Sequence, residues 1–249
     1  MMIDSLENKQ KIINQLLEIC AYEGWSDNSL KLAFKKAEID DKYLEIIFQD
    51  KIYSAIEFIT EQTCQSIKEL ISETADFDKN KIHQKIAYLL YNFLTLDTTN
   101  KLAYSRLLNF YITPQNLLAI NQNKGLRPSF FAISQANYVA NFMWNLIEDK
   151  STDINFFTKR IILSKIIIRS FIYYINHDNN ADLQKFIDVQ ILNILKFAKI
   201  KKQVKNKIDK FKNQFDDLIF CQKNTQDYNI IDVFKKLPFI RLINHNIFK

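Results

Sequence analysis

Asp149-Lys-Ser-Thr-Asp-Ile-Asn-Phe-Phe-Thr-Lys-Arg160 is a short polar and aromatic stretch that opens the most apolar helix of the chain. Asp149 to Asn155 supply several helix-starting side chains in one run, with Asp153 the preferred N-cap and Asn155 the alternative. From Phe156 the pattern is helical. Phe156, Leu163, Ile167, Phe171 and Tyr174 share one face at about 100° per residue, and Arg160 falls on it too, while Lys165, Arg169 and Asn176 fall opposite. An arginine inside an apolar stripe needs a partner, because an unpaired buried charge is costly. Asp149 and Asp153, both upstream of it, are the candidates. A cap and an ion pair that orient a loop would suffice to explain the stretch; a partner-binding patch is the functional alternative.

Outward from this helix the same period recurs. Leu6–Cys20 carries Ile12, Ile13, Leu16, Leu17 and Ile19 near one face and stops at Gly24. Ser26 or Asp27 caps a second helix with Leu30, Ala33, Phe34 and Ala37, and Asp40 a short third one with Tyr43, Leu44, Ile47 and Phe48. Longer helices are expected over about 51–71, 80–94 (Ile82, Ile86, Leu89, Leu90 and Phe93 inward), 101–110, 129–147, 154–175 and 182–200. Asn121–Pro128 is the clearest loop. Two glycines and three prolines in 249 residues argue against β-rich and dinucleotide-binding folds that need glycine turns. The expected architecture is all-α: one domain over 1–200, with a helix-turn-helix-like head over 1–50, and a C-terminal segment over 201–249.

The head resembles the DNA-binding head of TetR-type regulators. Its charge argues against DNA: from Ser26 to Lys51 five lysines meet six acids, a net −1. DNA affinity depends on phosphate neutralisation by Lys and Arg. A TetR-type regulator with an apolar effector is the alternative reading.

The whole-chain charge of +6 is matched by 199–212 alone, with seven lysines and Asp209. Over 201–221, Ile208, Phe211, Phe215 and Leu218 form a narrow stripe among Lys205, Lys207, Lys210 and Lys212. A lysine-rich face opposite an apolar one suits a helix lying on an anionic membrane, or one packed on the domain or a second subunit. Cys20, Cys64 and Cys221 have no metal spacing and read as buried reduced thiols. No signal or transit peptide pattern, and no apolar run of about 20 residues, is legible. His83, His177 and His245 are scattered, and no di-iron Glu-x-x-His pair, P-loop or dinucleotide fingerprint is present. No catalytic or metal-binding residue is assigned, and no cofactor is expected.

Asp-x-Ser-Thr-Asp-x-Asn-aromatic-aromatic-Thr-Lys-Arg, preceded by Trp144, resembles the signature of the ubiquinone-biosynthesis accessory lipid-binding family, the ninth protein of the coenzyme Q pathway. Cys20–Trp25, Pro114, Asn116, Phe186–Asp188 and Ala198–Val204 support the likeness. The family tends to have Trp-Tyr at Phe156–Phe157, Ala-Gly-Asp at Ile147–Asp149, and an Arg pair at Val189–Gln190. The resemblance implies a TetR-like helical fold and a non-catalytic, homodimeric accessory protein. It implies a bound isoprenoid lipid or quinone in a cavity, for which Leu163, Ile167, Phe171 and Tyr174 are the candidate lining. It implies a docking patch for the di-iron demethoxyubiquinone hydroxylase, matched by Trp144, Asp149, Asp153, Asn155, Phe156, Phe157 and Arg160. It also implies membrane contact through the C-terminal helix, here Lys205, Ile208, Phe211, Lys212, Phe215 and Leu218. The location expected is the bacterial cytoplasm at the inner face of the membrane, or the matrix side in a eukaryote, with no nucleic-acid partner.

Overall fold

The computed structural model describes residues 5–74, 77–112, 127–149 and 153–197. Among them every regular element is helical: α1 (Leu6–Glu23), α2 (Asp27–Lys36), α3 (Leu44–Ile47), α4 (Ile52–Ser72), α5 (Ile82–Thr95), α6 (Lys101–Ile112), α7 (Arg127–Leu146), α8 (Asp153–Asn176) and α9 (Asn180–Phe197), with single 3-10 turns at Asp41–Tyr43 and Phe77–Lys79. The chain is all-α, as its period implies.

Local chemistry sets the ends. The Ser5 hydroxyl accepts from Asn8 N at 3.2 Å and the Ser26 hydroxyl from Ser29 N at 3.1 Å, each occupying a donor that the first turn leaves free. Asp40 Oδ1 accepts from Lys42 N at 3.0 Å. Gly24 ends α1 at φ 79° and donates its N–H to Cys20 O at 3.2 Å. No atom lies within 4 Å of where its Cβ would stand. Glycine is therefore required there by the positive φ and not by crowding. α7 begins at Arg127, so Pro128, expected in the preceding loop, lies inside its first turn, where a missing N–H costs nothing.

Two apolar cores organise the molecule. One gathers α1 to α4 with Ala103 and Leu107 of α6 and Phe131 of α7. The other gathers the far half of α4 with α5, α7, α8 and α9. α6 belongs to the seam between them: Trp25 donates its indole N–H to Ala103 O at 2.8 Å across the head boundary. Tyr53 meets Phe131 edge-on at 4.9 Å between ring centroids. The inward stripes are largely as the period implies, with Ile82 the exception: it is 60% exposed, because α5 begins there and its first turn overhangs the core. Cys20 and Cys64 are free and buried, and burial pushes both thiols up to about 12. No described helix is long and apolar enough to cross a membrane. The expected C-terminal helix over 201–221, with Pro114, Asn116 and Cys221, lies outside the described residues.

Candidate functional site

The end of α7, the start of α8 and the turn between them hold the signature. α7 carries Asn137, Asn141 and Asn145 at intervals of four, a polar row on one face of the helix. α8 answers with Arg160 and Ser164. Arg160 is only 4% exposed. Its Nε donates to Asn141 Oδ1 at 2.7 Å, its Nη2 to Asn145 Oδ1 at 3.2 Å and its Nη1 to Phe156 O at 3.1 Å. One turn on, Ser164 Oγ donates to Arg160 O at 2.8 Å and lies 3.4 Å from Asn137 Oδ1.

The charge of Arg160 is balanced by Asp149, whose Oδ2 lies 3.7 Å from Nη1 and whose side chain is almost fully enclosed. Asp149 is shared: its Oδ1 accepts from Lys159 Nζ at 2.6 Å. Burial pulls the guanidinium below its ordinary range and Asp149 pushes back, so Arg160 remains charged. The expected pairing with Asp149 therefore holds. Asp153 is the first residue of α8 rather than the one before it, and its side chain and that of Asn155 lie outside the described residues.

Trp144 locks the two helices together. Its indole N–H donates to Lys159 O at 3.2 Å, and Lys159 Nζ stands 4.9 Å above its ring. The two phenylalanines of the motif divide. Phe156 is half-buried with the Arg160 Cζ 3.3 Å from its ring centroid, while Phe157, edge-on to it at 5.3 Å, is 43% exposed. Phe156, the ring expected on the partner surface, is instead taken up by Arg160, and the ring that faces solvent is Phe157.

The turn between the two helices passes through left-handed backbone. Glu148 N donates to Asn145 O at 3.0 Å, Asp149 N reaches Trp144 O at 3.0 Å, and Glu148 itself sits at φ 55°. That is the left-handed C-terminal residue of a helix, the position where glycine is favoured. Glu148 keeps the backbone path, and so keeps Asp149 aimed at Arg160.

Residues 131–198, which hold nearly all of α7, α8 and α9, match the COQ9 family model. The likeness to that family is confined to this part of the chain. The match supports a part in ubiquinone biosynthesis. A search of curated proteins returns no match to the chain.

Of the residues expected to line a cavity, Leu163, Ile167 and Tyr174 are buried and Phe171 half-buried, all within the second core. A groove of about 570 Å³ lies elsewhere, on the head, between Asn28, Lys31, Leu32, Lys35, Ile39, Asp40 and Asp41. Val189 is 51% exposed on α9. His177 caps α8, its Nδ1 2.9 Å from Tyr173 O, and stacks on Tyr173 at 3.9 Å. The asparagine row was the missed part of the site; its signal was three asparagines spaced by four, which places them on one helix face. No cluster of metal-ligating side chains occurs among the described residues.

Proposed function

We propose that the protein is a non-catalytic accessory factor of ubiquinone biosynthesis. It binds an isoprenoid quinone intermediate between the helices of its second core and presents it to the di-iron demethoxyubiquinone hydroxylase. The observation that carries this reading is the build of the signature. Arg160, Asp149, Lys159 and Trp144 are spent on holding the α7–α8 turn rigid, and the apolar ring of Phe157 is left facing solvent beside it. An anchored aromatic on a polar rim is what a protein partner selects as a hot spot. The basic segment 201–221 supplies the membrane contact that delivery of such a lipid needs.

Pull-down of the hydroxylase by the full chain tests the docking half. Phe157→Lys should abolish capture and leave the melting temperature within about 2 °C, since an exposed ring contributes little to folding. Undiminished capture would overturn the patch. The TetR-type alternative finds little support: α3, where a recognition helix would lie, is one turn of four residues introduced by Asp40 and Asp41.

A further inference from the structure

Among the described residues, the buried side-chain oxygens without a hydrogen-bond partner are Ser170 Oγ and Tyr174 Oη. Ser170 is 0% exposed and Tyr174 3%. Buried polar groups are paired in roughly nine cases of ten, so two unpaired ones a turn apart need a reason. They lie four residues apart and therefore share a face of α8, the face that also carries Leu163 and Ile167 into the second core.

Ser170 departs from the behaviour of hydroxyls elsewhere in this chain. A helical Ser or Thr has a ready acceptor in the carbonyl four residues back. Thr60, Thr63, Thr95 and Ser164 all take it, at 2.8 to 3.0 Å. Ser170 does not bond to the Ile166 carbonyl. Tyr174 has a carboxylate in its neighbourhood, Asp97, but both Asp97 oxygens are already engaged by Thr99, Asn100 and Tyr104. Burial, and then the Asp97 charge, push the Tyr174 phenol above its usual range, so it stays protonated and has a proton to donate. The cation beside it, Lys101, 4.9 Å from the ring, is committed to Asp178 Oδ1 at 2.7 Å and to His177 O at 2.8 Å. An anionic ligand would find no spare charge there and a cationic one no spare carboxylate. A neutral acceptor oxygen on an apolar molecule fits both constraints.

We propose that Ser170 and Tyr174 are the polar end of the ligand site, donating hydrogen bonds to carbonyl oxygen of an apolar guest, with the isoprenoid-facing part of the site formed by the rest of the α8 stripe. This rests on the lipid-binding reading above and adds to it that the guest is recognised by its carbonyl head and not by its chain alone.

The test uses the full-length protein and two probes of equal chain length, decylubiquinone and decylbenzene, each titrated by displacement of a prebound apolar dye. The wild type should prefer the quinone by about tenfold or more, the worth of one or two buried hydrogen bonds. The double variant Ser170→Ala/Tyr174→Phe, which keeps the ring and removes only the two hydroxyls, should lose that preference and bind decylbenzene within twofold of wild type. Its ligand-free melting temperature should be equal to or above that of the wild type, because it deletes two unpaired donors. A double variant that keeps the quinone preference would overturn the proposal, as would one whose ligand-free melting temperature falls, which would assign the hydroxyls a purely structural partner. If the wild type binds both probes equally, the carbonyl anchor fails and the lipid reading stands; if it binds neither, both fail.

Discussion

Glu148 occupies left-handed backbone, which a side chain with a Cβ adopts only at a cost of about 1–2 kcal/mol. Glycine would remove that cost and add back part of it as unfolded-state entropy. Glu148→Gly is expected to stabilise the chain by about 0.5–1 kcal/mol, seen as a higher denaturation midpoint at unchanged slope. Arg160 makes the opposite case. Its three hydrogen bonds run in three directions and its face lies on Phe156, a geometry that one ammonium does not reproduce. Arg160→Lys should destabilise by about 2 kcal/mol, and Asp149→Ala by about 3 kcal/mol through the uncompensated buried charge it leaves. Equal denaturation midpoints for Asp149→Ala and wild type would remove the ion pair from the account. At this scale the sequence was legible where charge was at stake: a cation in an apolar stripe demands an acid nearby, and Asp149 is there. It was less legible where neutral polar groups did the work. Asn137, Asn141 and Asn145 bear no charge to balance, so only their spacing could have drawn attention to them.

Helices were readable because their apolar positions repeat every three to four residues and their starts carry Ser or Asp. The ends of α1, α2 and α4 fall within a few residues of where these signals put them. Ile82 failed because periodicity assigns a face but does not say where a partner helix stops. α6 owes its start to Asp97, which accepts from the Asn100 backbone and side chain, from Thr99 and from Tyr104. Burial alone would raise this carboxyl, but those donors outweigh it and hold it below the usual range. Its contribution is complete above an unfolded value near pH ~4 and is lost as pH falls through the lower folded value. Asp97→Asn should therefore lower stability at neutral pH and flatten its decline below about pH 4; parallel acid-unfolding curves for the variant and wild type would contradict this. For the segment over 201–221, binding to liposomes should rise with anionic lipid and weaken at high salt without vanishing. Phe211→Ser/Phe215→Ser should remove the salt-resistant part while leaving the melting temperature nearly unchanged. A large drop in melting temperature with no effect on flotation would mean that the segment packs on protein instead.

The whole molecule divides its labour between two cores. The head packs α1, α2, α3 and the first half of α4 around Phe34 and Phe48 and carries no net positive charge between Ser26 and Lys51. The second core holds most of the region that matches the COQ9 family model, the signature turn and the two unpaired hydroxyls. Under the proposed function the head has a supporting role and recognition falls to α7, α8 and α9. An interior rich in Ile, Leu and aromatic side chains can be a filled core or the wall of a lipid site, and composition does not distinguish them. What distinguishes them is what the folded protein carries. The central claim is that the full chain binds an isoprenoid quinone, and the most direct measurement is mass spectrometry of lipid extracted from gently purified protein, compared with an unrelated protein prepared from the same cells. An isoprenoid quinone or its demethoxy precursor enriched in near-stoichiometric amount is the result expected. A lipid profile indistinguishable from that of the unrelated protein would contradict the claim.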